Sequence, residues 1–141
     1  DERLLFVRMI SAMLRRSGIT SIGVGMFYNC NSLADVTIPN KVTSIGDFAF
    51  SDCAALTSII IPDSVKSIGI QAFCNCGELT SITIGTGVTS IDRNVLDECE
   101  KLEAINYRGT KAQWNAIHKN AQWKNNSTIK VVHCNDGDIK L

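Results

Sequence analysis

The chain is poor in the features that most often mark a chemical function. Its 141 residues include two histidines and two prolines, aromatic residues make up 6%, and the formal net charge is zero. A neutral balance removes the electrostatic footprint that a nucleic-acid binder needs. No apolar run approaches the roughly 20 residues required to cross a bilayer, so direct membrane insertion is not expected. The opening "DERLLFVRMISAMLRRSG" starts with acids and is broken by Arg8, which makes it a poor signal peptide. His118 and His133 both lie near the C-terminus and read as surface or packed side chains. No Ser-His-Asp or Cys-His set can be argued from position. Cys74 and Cys76 stand closer than the usual zinc spacing. The glycines do not form a phosphate-binding G-x-G-x-x-G. "NDGD" (Asn135–Asp138) carries only part of a calcium loop. Neither a catalytic set, a metal centre nor a cofactor is therefore expected.

What the chain has instead is a repeat. "SIGVGMFYNC", "SIGDFAFSDC", "SIGIQAFCNC" and "SIDRNVLDEC" place cysteines at 30, 53, 76 and 99, each 23 residues after the last. The units run 17–39, 40–62, 63–85 and 86–108 without insertion. A period this regular implies a solenoid, because each unit must stack on the next in register. With 45% apolar and 20% charged residues the chain should fold around one core, as a single domain over 1–141.

Each unit holds two strand-like pieces. The longer is "LADVTIP" and its copies, where alternation turns Val36/Ile38, Ile59/Ile61, Ile82/Ile84 and Ile105/Tyr107 to one side. The shorter is "VTSIG", with Ile45, Ile68 and Ile91 pointing inward. Between them "GDFAFSDC" is too short for a full helix and reads as a helical turn. Phe27, Phe50, Phe73 and Leu96 should stack through it. Pro39 and Pro62 end the longer strands, where no ladder bond is needed.

Evenly spaced cysteines admit metal binding, disulfides, nucleophilic chemistry or plain packing. Equivalent residues of neighbouring coils lie about 4.8 Å apart, within the Cα range of a disulfide. Stacked side chains lie parallel and do not meet, however. Cys30, Cys53, Cys76 and Cys99 are thus read as small buried hydrophobes with a weak S–H donor. Cys74 falls at the position of Tyr28 and Ser51 and is expected outside, as an exposed thiol.

The ends differ from the repeats. Residues 1–16 suit an amphipathic capping helix, with Leu4, Leu5, Ile10, Met13 and Leu14 as its apolar residues and Gly18 as its stop. The competing reading is a degenerate repeat, with Ile10 and Met13 at the positions of Leu33 and Val36. At the other end, 109–141 reads as an α+β cap. Thr110 and Gln113 suggest a capping box, Trp114 and Trp123 a lid, and "TIKVVHC" a last strand.

The signature "L-T-S-I-x-I-P-x-x-V-x-S-I-G-x-x-A-F-x-x-C" resembles the BspA-like leucine-rich repeats, and "YRGTKAQWNAI" is similar to the segment that closes such arrays. The resemblance implies an α/β repeat fold: a right-handed leucine-rich-repeat solenoid, each 23-residue unit having two short strands and a helical turn, between a helical N-cap and the C-terminal cap. It also implies a bacterial or protist surface or secreted protein that adheres to host, matrix or other cell-surface macromolecules. The partner would be a protein or glycan, and unpaired ends and Cys74 leave room for a weak homodimer.

With no chemistry to place, a surface remains. The outward positions of the longer strands are small, neutral and rich in hydroxyls, and include Asp35, Thr37, Ser58, Ser81, Thr83 and Asn106. Ile60 is the outward aliphatic among them, flanked by Thr37 and Thr83. These residues are the candidate recognition face. The alternatives are that they only stabilise the sheet and that the array is a spacer presenting other domains.

Overall fold

The computed structural model describes residues 2–141, the side chain of Arg3 excepted; Asp1, at the head of the expected capping helix, lies outside the described residues. The elements are α1 (Glu2–Ser17), β1 (Ser21–Ile22), β2 (Ser44–Ile45), β3 (Ser58–Ile61), β4 (Ser67–Ile68), β5 (Ser81–Ile84), β6 (Ser90–Ile91), β7 (Ala104–Tyr107), α2 (Lys111–Ala116), β8 (His118–Lys119), β9 (Val131–Cys134) and β10 (Gly137–Lys140). The short strands form a parallel sheet in the order β1-β2-β4-β6-β8. The long ones form a sheet in the order β10-β9-β7-β5-β3, parallel except for β10 against β9. The chain is thus a solenoid of five turns, one for each strand of the short-strand sheet.

The register explains why the period is so strict. Ser21 pairs with Ser44, Ser44 with Ser67, Ser67 with Ser90, and Ser58 with Ser81. A one-residue slip would turn every inward isoleucine to the solvent. The inward columns are continuous and buried: Ile22, Ile45, Ile68 and Ile91; Leu33, Leu56, Leu79 and Leu102; Val36, Ile59, Ile82 and Ile105. The rings of Phe27 and Phe50, and of Phe50 and Phe73, stack with centroids 5.2 Å apart.

The connecting segment is not a helical turn. Met26, Tyr28 and Cys30 donate to carbonyls three residues back, at Gly23, Gly25 and Phe27. The residues between them, Gly25, Phe27 and Asn29, donate instead to Asp47, Ala49 and Ser51 of the next coil, at 2.8–2.9 Å. A helix returns its interior N–H groups to carbonyls of the same segment; here alternate N–H groups go to the next coil. Left-handed residues make this alternation, with φ near +60° at Gly25 and Asn29, Phe48 and Asp52, Gln71 and Asn75, and Asn94 and Glu98. The solenoid therefore carries a third ladder between its coils, beside the two sheets.

The fifth turn was hidden in sequence. β8 extends the short-strand sheet and β9 the long one, both parallel to the preceding coil, so the solenoid continues past Arg108. The register shifts there because α2 is inserted. Thr110 Oγ1 accepts from Gln113 N and Gln113 Oε1 from Thr110 N, which starts α2 with a capping box. Trp114 is buried edge-on against Tyr107 and Trp123, at 5.3 and 5.7 Å. Lys119 Nζ ties off the end of α2 by donating to the Trp114 and Ile117 carbonyls.

At the other end α1 packs on the first coil through Leu14, Phe6 and Ile10. This inner stripe differs from the expected one: Leu4, Leu5 and Met13 are exposed. Ser11 Oγ accepts from Thr37 N, and Gly18 in the left-handed region ends the helix.

Candidate interaction surface

The alternation that sends isoleucines inward sends the candidate residues outward. On the long-strand sheet Ile60 pairs with Thr83, Thr83 with Asn106, Asn106 with His133 and His133 with Asp138, so one row crosses the whole sheet. Ser58 and Ser81 begin the adjacent row. At the first-coil end, Asp35, Thr37, Ser58, Ile60 and Pro62 are among the residues lining one hollow of about 220 Å³. The structure thus brings four of the seven candidates together. Ser81, Thr83 and Asn106 lie on the same sheet outside the hollow. Ile60 is 53% exposed, an apolar group that its own fold leaves uncovered. Asp35 Oδ1 accepts from Val36 N. The far end of the row closes in a His133–Asp138 pair at 2.8 Å.

The threonine hydroxyls nearby are mostly spent within the fold. Thr57 Oγ1 donates to the Ala34 carbonyl and Thr80 Oγ1 to that of Thr57; Thr43 and Thr89 do the same on the short-strand side. They tie coil to coil and leave less for a ligand.

A second and larger hollow, about 510 Å³, lies over the short-strand sheet. Ser44, Ser67 and Ser90 run along it, with Asp47 and Asp92 beside them and His118 and Asn120 at its end. The serines are visible as outward positions in sequence. His118 and Asn120 are not, because the inserted α2 breaks the period that would have placed His118 beside Ser90. No hydrogen bond joins Ser90, His118 and Asp92 among the described residues. Asp92 Oδ1 accepts from Arg93 N and Asp47 Oδ1 from Ile70 N, so each acid braces a turn.

All six cysteines are free thiols. Cys53, Cys76 and Cys99 are buried, and their Sγ atoms donate to the carbonyls of Phe27, Phe50 and Phe73 at 3.0–3.2 Å. Burial pushes the Cys53 thiol up to about 12, and a hydrogen bond with the Cys99 thiol, joined by burial, pushes the Cys76 thiol up. Cys30 and Cys134 are half-buried. Cys74 is not the exposed thiol expected. It is half-buried with Gln71 Nε2 3.7 Å from its sulfur, and burial raises its pKa. Its equivalents Ser51 and Asp97 are buried too, because this position lies between coils; Tyr28 is exposed, being in the first coil. Asn135 and Asp136 form the β9–β10 turn, with Gly137 and Asp138 opening β10, and Asp136 Oδ1 accepts from Lys111 N. No group of side chains suited to a metal ion occurs among the described residues.

A profile of the BspA type leucine rich repeat region matches residues 10–130, in six copies. The chain belongs to the BspA-type leucine-rich-repeat family. Three solved structures are similar to it. A leucine rich cell surface protein of Faecalibacterium prausnitzii A2-165 shares 36% identity at a TM-score of 0.69, over 73% of this chain and 27% of that one. A leucine rich repeat protein of T. pallidum shares 34% at 0.60, over 62% and 41%. One from Bacteroides ovatus ATCC 8483 shares 26% at 0.64, over 79% and 28%. This chain therefore spans less than half the length of each. No curated protein matches it. The leucine-rich-repeat fold is generally a scaffold for protein interaction, and the BspA-type family is typically non-enzymatic. No helix among the described residues is long and apolar enough to cross a membrane.

Proposed function

We propose that this solenoid is a non-enzymatic adhesion module of a cell-surface or secreted protein. It binds host, matrix or neighbouring-cell macromolecules, protein or glycan, through its long-strand sheet. Ile60 is the anchor, the hollow formed with Asp35, Thr37 and Ser58 is the pocket around it, and Ser81, Thr83 and Asn106 extend the contact. The observation that carries this reading is Ile60 itself, more than half exposed in a hollow at the first-coil end of the sheet. An apolar centre with a polar rim is the usual anatomy of a binding site. The cell-surface description of the F. prausnitzii structure supports the location. An array of extracellular-matrix proteins and glycans, probed to micromolar concentration with the chain and its Ile60→Lys variant, tests the proposal. Binding that Ile60→Lys abolishes supports it; absence of binding, or binding indifferent to the substitution, counts against it.

A second reading, a spacer with no ligand of its own, draws support from the threonine hydroxyls committed to coil-to-coil bonds. It requires that substitution of Asp35, Ser58, Ile60 and Thr83 leave adhesion by the parent protein intact.

A further inference from the structure

The long-strand sheet has an open edge at β10, which is bonded to β9 alone. Opposite neighbours in this hairpin are Gly137 and Cys134, Asp138 and His133, Ile139 and Val132, and Lys140 and Val131. Just past the strand, Leu141 N donates to the Lys130 carbonyl at 2.9 Å. Along an antiparallel strand the N–H and C=O groups of successive residues turn to opposite sides. Since Leu141 N faces β9, the backbone groups of Ile139 also face β9. Those of Asp138 and Lys140 face the open edge. Among the described residues no strand pairs with that edge. Free N–H and C=O groups on an edge are a template for another strand.

The side chains select which strand fits. Asp138 and Lys140 stand on one face of β10 by alternation, and both residues are exposed. Lys140 has no ion pair among the described residues. Asp138 meets His133 through Oδ1 alone. Laid antiparallel on itself, β10 has one register that bonds both outward N–H groups and both outward carbonyls of each strand. That register sets Asp138 of one copy opposite Lys140 of the other, and Ile139 opposite Ile139. Opposite charges directly across a strand pair attract. A slip of two residues either way sets Asp138 on Asp138 or Lys140 on Lys140, and like charges there repel.

We propose that β10 is a pairing edge whose occupant is the β10 of a second copy of this chain, held antiparallel by charge complementarity between Asp138 and Lys140. The contact is twofold symmetric, with Ile139 at the axis. Four backbone hydrogen bonds and two ion pairs make it. The outward row from Ile60 to Asp138 then continues into the second copy at Lys140. The two sheets become one of ten strands, five from each copy, with both outward rows on the same face. Binding through that face would be bivalent; this consequence, unlike the pairing, rests on the function proposed above.

Sedimentation equilibrium of the full chain tests the pairing with no ligand present. So short an edge is a small interface, and the protein is therefore run at up to about 1 mM. In the proposed register Asp138→Lys sets Lys on Lys, and Lys140→Asp sets Asp on Asp. The unaltered chain should form dimers, and each variant alone should self-associate at least about tenfold more weakly. Mixing the two variants should restore dimers, because each supplies the charge that the other lacks. Lys140→Pro, which removes only an outward N–H at a sheet edge, should weaken association without lowering the thermal midpoint. Hydrogen exchange at the Asp138 and Lys140 amides should slow as concentration rises. Monomers throughout, association indifferent to these substitutions, a mixture no tighter than its components, or dimers whose Asp138 and Lys140 amides stay unprotected would overturn the proposal.

Discussion

Phe50→Ala probes the feature on which the fold most depends, the unbroken column between coils. Phe50 is fully buried, and its ring has a stacked neighbour on each side: Phe27 at 5.2 Å and 19°, and Phe73 at 5.2 Å and 3°. Core Phe→Ala substitutions cost about 3–5 kcal/mol, and each ring pair is worth about 0.5–1.5 kcal/mol beyond its buried area. With two pairs lost and rigid coils above and below, the loss should fall near the top, at about 4–5 kcal/mol. Phe27→Ala loses a single pair at the end of the column and should cost about 3 kcal/mol. Urea unfolding followed by far-UV circular dichroism measures both. Fluorescence of Trp114 and Trp123, three coils away in the last turn, reports whether the loss spreads along the array. Coincident shifts of both signals mean that the five turns unfold together. A cost below about 1.5 kcal/mol for Phe50→Ala, or one no larger than for Phe27→Ala, would refute a continuous column.

Three further changes test separate parts of the account. Cys53→Ala removes a buried sulfur and its bond to the Phe27 carbonyl, and should cost about 1–2 kcal/mol in thermal or urea unfolding without altering ligand binding. Glu98 is exposed at φ +57°, a conformation L-residues disfavour; Glu98→Asn, matching Asn29 and Asn75, should raise stability by about 0.5–1 kcal/mol, measured as a higher thermal midpoint. Asp97 is buried with Oδ1 unpartnered, and burial raises its pKa above 3.8. The folded state thus holds this proton more tightly than the unfolded one, so ionisation weakens folding as pH rises through that range. Asp97→Ser, the residue of the second coil at Ser51, should therefore stabilise by about 1 kcal/mol at pH 7. That gain should fade in paired melts as pH falls through the raised value of the folded chain, and be absent once pH is below the ordinary carboxylate value.

The regular coils were legible because one spacing controls everything in them. A 23-residue period places every inward isoleucine, leucine and phenylalanine on a column. The connecting segment was not legible. Its backbone depends on left-handed residues, and Phe48, Gln71 and Glu98 stand at such positions without the glycine or asparagine that would betray them. The fifth turn was lost because α2 displaces His118 from the period, and with it the larger hollow. Cys74 was misplaced because comparison with Tyr28 treats an end coil as an interior one. The outward row from Ile60 to Asn106 followed from alternation alone; His133 and Asp138 joined it only through the pairing of β9 and β10.

Binding of the long-strand sheet through Ile60 is the proposal on which the function rests. Its most direct test is the affinity of the chain and of Ile60→Lys for the strongest partner found on the matrix-protein and glycan array, measured at equal fold stability. The account predicts at least about a tenfold loss for Ile60→Lys, the effect of removing a binding hot spot, with an unchanged thermal midpoint. Equal affinity of the two proteins would contradict it.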